Sequence, residues 1–294
     1  ERDNPAPWAE LISNNFIMTV PSHEIRDLNN PSALMEWWDE ALAMEHELYG
    51  YEPWPRVERA VFDVQISAGW MHSGYPFMAH DLSVEGVVNL SYMDENGDWG
   101  MFHELGHNHQ WMPSTLPGTT ETSCNFASVY LMEELVGISG HSATTPEQRH
   151  QRMTNYFGSG ADIDDWSVWV ALDTYLIIKE EWGWAPITDA LTVYYNLPNS
   201  EVPYTDLEEF NAWVAHLSDT SGYNLAPYHE AWGFPITGET HDSLLHLPVW
   251  VDDPVRGNYA VFDSIIRNMS ACLLYTSDAA DEGLGVDLGG RRII

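Results

Sequence analysis

A single lysine, Lys179, stands in 294 residues, and the other basic residues are arginines. Against 45 acidic residues, 11 basic ones leave a formal net charge of −34. Such a surface repels phosphates, which excludes nucleic acid as a partner, and it opposes anionic membranes. No apolar run approaches the roughly 18 residues needed to span a bilayer, so membrane insertion is not expected. There are two cysteines, Cys124 and Cys272, too few for a disulfide scaffold. The first residue is not Met and no signal peptide is present, so a leader is expected to be missing from this stretch. The surplus of acid motivates the hypothesis of a high-salt habitat, where screening removes self-repulsion. Thermal melts that show no stabilisation by NaCl would reject it.

With 44% hydrophobic residues the chain can bury one large core or two subdomains. Asn30-Pro31 opens a helix whose apolar face is Leu34, Trp37, Trp38, Ala41 and Met44. Alternation over 61–66 predicts a strand, and 87–90 predicts another. Trp166 to Trp182 reads as a long buried helix, with shorter ones over 147–157, 187–195, 207–217 and 227–232. Residues 238–254 read as loop or edge strand. Trp37, Trp38, Trp166 and Trp169 sit on helical patterns and are expected in the core. No internal repeat is found. The division this suggests is an α/β part over 1–112, a helical part over 113–255 and a linker or start of a further region over 256–271. The tail, 272–294, resembles translated sequencing adapter, which makes the chain an assembled fragment truncated near Ala271.

The chemistry starts at His103-Glu104-Leu105-Gly106-His107. Histidines at i and i+4 lie on one helix face and can share one Zn²⁺ ion, and the glutamate between them can take a proton from the attacking water. A structural zinc site is the rival, but such sites usually close with Cys or His. Asn96-Gly97-Asp98 supplies a turn and an N-cap, so the helix should start near Trp99. Gly106 is a tolerable helical cost. The metzincin continuation after His107 is missing, so a third ligand must come from elsewhere. Glu121 is the best candidate, in the first turn of a buried helix after Pro117-Gly118-Thr119-Thr120. Glu133 and Glu134 are rivals, each about 18 Å further along that helix. Asn125, i+4 from Glu121, can accept the spare N–H of a zinc-bound histidine. His109 is about 200° around the helix from His107, so a supporting or packing role is expected.

The stretch Gly100 to Gln110 resembles the active-site helix of enhancin-like, mucin-degrading zinc metallopeptidases, the sixtieth metallopeptidase family, whose pattern is HExxH(8,28)E. Glu121 fits that pattern. Trp8-Ala9-Glu10-Leu11, the block from Asp63 to Pro76, and Asn224-Leu225-Ala226-Pro227-Tyr228 with Trp232-Gly233-Phe234-Pro235 resemble the family in the same order, over about residues 5–255. Thr122 departs from it, where a β-branched apolar residue is commoner. The resemblance implies an α+β, gluzincin (thermolysin-like) fold: a small mixed sheet, an active-site helix and a helical C-terminal subdomain. It also implies a secreted or cell-surface enzyme that cuts glycoproteins, often beside O-glycans; a monomer is expected. Tyr75, in the family's upstream block, is the expected donor to the tetrahedral oxyanion. Trp70 and Trp111, near the motif, are candidates for a glycan-binding wall. The alternative is a catalytically silent glycan- or mucin-binding adhesion module on the same fold.

Overall fold

The computed structural model describes residues 3–255 apart from Tyr51, Pro53 and Trp54. The readings for 256–271 and 272–294 lie outside the described residues. Alternation of buried and half-buried residues builds one five-stranded mixed sheet. Its strands are β1 (Trp8–Ile12), β2 (Phe16–Pro21), β3 (Glu58–Asp63), β4 (Met71–His72) and β5 (Phe77–His80), in the order β1-β2-β3-β5-β4. The pairs β2–β3 and β3–β5 are parallel, and the outer pairs antiparallel. The strand expected over 61–66 therefore begins earlier and stops at Asp63, whose carboxylate takes the Gln65 N–H at 3.0 Å and turns the chain. Phe16, Met18, Val20, Ala60, Phe62, Phe77 and Ala79 are fully buried on one face of the sheet.

Helix α1 (Pro31–Tyr49) packs against that sheet. Asn30 accepts from Ala33 N, Pro31 suits the first turn, and Gly50 closes the helix with φ 70°. Trp38 is fully buried, its centroid 5.6 Å from Phe16 and its indole N–H on Val87 O at 3.2 Å. The strand expected over 87–90 is instead the junction of α2 (Val84–Val87) and α3 (Leu90–Asn96). Asn89 decides this: its side chain accepts from Tyr92 N and caps a new helix.

The zinc-motif helix is α4 (Trp99–His109), followed by α5 (Thr120–Leu131) with a π-helical turn over Met132–Val136. Then come α6 (Pro146–Gly158), α7 (Val168–Trp182), α8 (Ala185–Asn196), α9 (Asp206–Ser221), α10 (Ala226–Ala231) and α11 (Gly238–Ser243). Residues 238–254, read as loop or edge strand, hold that short last helix and a single parallel bridge from Asn224 to Val249. Helix α7 is buried without a break from Val170 to Ile178, so Asp173 inside it must be paired. Arg149 Nε at 2.8 Å and Arg152 Nε at 2.5 Å supply the pairing. One apolar cluster runs from Phe16 through Phe102 and Leu131 to Trp213 and Trp232, crossing residue 112. Trp37 and Trp38 are buried in it, and Trp166 and Trp169 pack half-buried against it. No helix among the described residues is long and apolar enough to cross a membrane.

Candidate metal centre and active site

Helix α4 starts where Asp98 accepts the Met101 N–H at 2.9 Å. It crosses α5 at Gly106, where a Cβ would stand 2.9 Å from Ala127 Cβ and 3.1 Å from Cys124 Cα. The helical cost of that glycine is therefore repaid in close approach, which brings the first turn of α5 up to the two histidines. Glu121 Oε2 lies 3.2 Å from His103 Nε2 and 3.5 Å from His107 Nε2. A tetrahedral zinc ion with bonds near 2.05 Å separates its ligands by about 3.3 Å. The donor set therefore fits such an ion. Glu133 is spent elsewhere, bound to Lys179 Nζ at 2.8 Å.

The tautomers of both histidines follow from their neighbours. Trp99 Nε1, which can only donate, reaches Asn125 Oδ1 at 3.2 Å. That orients the amide, so His103 Nδ1, 2.8 Å from the same oxygen, must carry the proton. Gln110 Nε2 donates to the Thr120 carbonyl and Ser123 Oγ. Its Oε1 is thus left to accept from His107 Nδ1 at 3.0 Å. Both Nε2 lone pairs are free and converge on the Glu121 carboxylate. Asn125 stands where a helix-face argument puts it. Gln110 was not singled out in the sequence, although i+3 from His107 was the available signal.

Cys124 was also missed. Its Sγ is 3.4 Å from His103 Nε2 and belongs with His103, His107 and Glu121 to one group able to hold a metal ion. Burial, and then the Glu121 charge, push the thiol well above its ordinary value, and it donates to Glu121 O at 3.1 Å. Thr122, the departure from the family pattern, is buried and donates to Val168 O at 3.0 Å.

The remaining predicted residues separate. Trp70 is 53% exposed at a cavity that reaches Glu104. Trp111 does not line that cavity; its half-buried ring packs against the core, edge-on to Tyr194. Tyr75 is half-exposed, with Arg56 3.8 Å over its ring. The cleft wall facing the histidines comes from Ala68 to Ser73 instead, without Tyr75, so the oxyanion role expected of it finds no support. Asn108 clamps this wall to α4, accepting from Gly74 N at 2.9 Å and donating to Gly74 O at 3.1 Å. His109 turns into the core and meets Glu45 at 2.8 Å, both fully buried. Burial raises the Glu45 carboxyl. Burial opposes charge on His109 too, but the bond to Glu45 and its charge win and raise it.

A mixed sheet, a His-Glu-His helix and a carboxylate from the next helix define a metallopeptidase fold with a candidate metal centre. The chain belongs to the family Peptidase M60, enhancin and enhancin-like, which it matches over residues 2–233. It is 43% identical over 263 residues to TRPM8 channel-associated factor 2 of Homo sapiens, covering 87% of this chain and 28% of that protein. The chain thus spans under a third of that relative's length. Among solved structures it is similar to a conserved protein of unknown function from Bacillus anthracis, with TM-score 0.75 and 22% identity over 89% of this chain and 56% of that one. A metallopeptidase in complex with Tn antigen superposes with TM-score 0.66 and 13% identity over 83% of this chain and 52% of that one.

Proposed function

We propose that this chain carries a zinc-dependent endopeptidase of gluzincin type that cuts glycoproteins, mucin-type O-glycosylated ones foremost, and that it acts as a secreted or cell-surface monomer. Its two-part division, 1–112 and 113–255, belongs to the same proposal. The observation that carries it is the pair of fixed tautomers, which leaves two imidazole lone pairs 3.2 and 3.5 Å from one carboxylate oxygen beside Glu104. His103, His107 and Glu121 would hold the ion, and Asn125 and Gln110 would keep both rings in ligating form. When bound, the ion supplies Lewis-acid polarisation of the scissile carbonyl and lowers the pKa of water. Glu104, which lines the cleft on both sides, takes the proton of the attacking water and returns it to the leaving amine. Strand β4 is the sheet edge at this cleft, so an extended substrate can lie along it. The glycoprotein part leans on the Tn-antigen complex of a fold neighbour and on the exposed Trp70.

The test is Glu104→Gln. It should retain zinc and lose mucin cleavage by about a thousandfold, within the range of general-base deletions. Near-normal turnover would end the scheme. A second reading, a binding module without catalysis, is favoured by the relative named for its association with a channel. Incubation of zinc-loaded protein with mucin, with and without chelator, separates the two. Fragmentation blocked by chelator supports the peptidase, and retention without fragmentation supports the binder.

A further inference from the structure

The cavity of about 680 Å³ beside Glu104 has an unusual lining. Three exposed apolar side chains meet at it: Trp70 at 53%, Leu82 at 71% and Tyr92 at 45% exposure. Trp70 is rigid. One face of its ring stacks on His80 at 4.6 Å and 13°, and its N–H is spent on Ser83 Oγ at 2.8 Å. The other face is a flat apolar platform. The charged side chains around it are all carboxylates, Glu85 and Asp98 with Glu104 at the inner end, beside the neutral Ser83 and Asn89, and no basic side chain lines the space. Asp98 already accepts the Met101 N–H as the cap of α4, whereas Glu85 is exposed on α2. In a chain of net charge −34, the cleft therefore has the same sign as the surface.

We propose that this cavity accepts uncharged sugars and turns away sialylated or sulfated ones, with Glu85 as the specificity-determining residue. The inference rests on the glycoprotein reading above. Hydroxyl groups can donate to Glu85 while the C–H face of the ring lies on Trp70. An anionic substituent would instead meet two or three carboxylates in a half-enclosed space, with no basic side chain in the lining to answer it.

The experiment uses two O-glycopeptides of one sequence, carrying a neutral glycan or the same glycan capped with sialic acid. Each is titrated calorimetrically into the zinc-loaded Glu104→Gln protein at low salt. Neutral peptide should bind at least about tenfold tighter. The gap should shrink about threefold or more with Glu85→Gln, and also in high NaCl. Trp70→Ala should weaken the neutral peptide and so place it in this cavity. Equal binding of both peptides, binding of neither, or a gap untouched by Glu85→Gln would overturn the proposal. Cleavage of both peptides by the unmodified protein is read in parallel. Failure to cleave either while the binding gap persists would sink the peptidase reading and leave this inference standing.

Discussion

His107 and His109 stand two residues apart on one helix and each meets a glutamate, yet their surroundings are opposite. His107 lies at an open cleft beside Glu121, which is 58% exposed, while His109 and Glu45 are both sealed at 0%. The step of about 200° between them divides the helix into a face for chemistry and a face for cohesion. At the cleft, ring nitrogens are kept unprotonated and available by Asn125 and Gln110. In the core the same residue types meet at 2.8 Å, away from solvent, with Tyr49 stacked at 5.9 Å on His109 and its hydroxyl on Ser123 O of α5. The buried pair ties α1 to the end of α4, so the helix that carries the site is held by groups that never touch it. A histidine beside a glutamate is thus no signal of function until its exposure is known.

This contrast can be broken most directly by truncating the two carboxylates. Glu45→Ala takes the buried carboxylate away from His109 and should cost about 3–5 kcal/mol in chemical denaturation. Glu121→Ala in metal-free protein should cost under about 0.5 kcal/mol, as an exposed position. Equal losses would remove the distinction. Next in size is acid sensitivity, which should reside in buried imidazoles. Burial lowers His46 and His229 to about 4 from 6.5. Folded values below the unfolded one mean that the unfolded chain takes up protons first as pH falls. Their contribution is complete above pH 6.5 and is lost between 6.5 and 4, at order 3 kcal/mol for fully buried His229. Denaturation at successive pH values should show this slope, and His229→Gln should flatten it.

Gly106→Ala tests how the two helices meet. The added methyl would press on Ala127 and Cys124 and should cost about 1–3 kcal/mol while weakening metal binding. Unchanged zinc affinity in a competition titration would show that α5 need not lie so close. The smallest effect sharpens the cleft side alone: Asn125→Ala should lower zinc affinity about 10–100-fold. An affinity within twofold of the parent protein would mean that His103 finds its tautomer without help.

Much of the site could be read before any coordinates. Asp98 as cap, the start at Trp99, the i and i+4 histidines and Glu121 after a Pro-Gly turn all obey local rules of helix geometry and capping. Tyr75 and Trp111 do not line the cavities beside Glu104 and the histidines. Trp111 is a candidate for its nearness in sequence to the motif and Tyr75 for its place in the family's upstream block, but Arg56 stands over the Tyr75 ring and the Trp111 ring packs against the core. The strand expected over 87–90 failed because short apolar runs are ambiguous in period, and a single side-chain cap at Asn89 settled them as helix. Glu85 and Asp98 drew no notice as cavity residues because nothing local distinguishes a carboxylate at a cavity from one in solvent.

By itself the sequence determined the chemistry that is available: which residues can ligate, which can take a proton, where helices begin, and the acid sign of the whole surface. These depend on residue type and on spacing within one turn of helix. Only the tertiary structure decided which neighbours fix the tautomers of His103 and His107, why Gly106 is tolerated, and that the cavity beside Glu104 shares the charge of the exterior. Those outcomes depend on contacts between segments far apart in the chain, where burial and the partner across the gap, not the residue, set what a group can do.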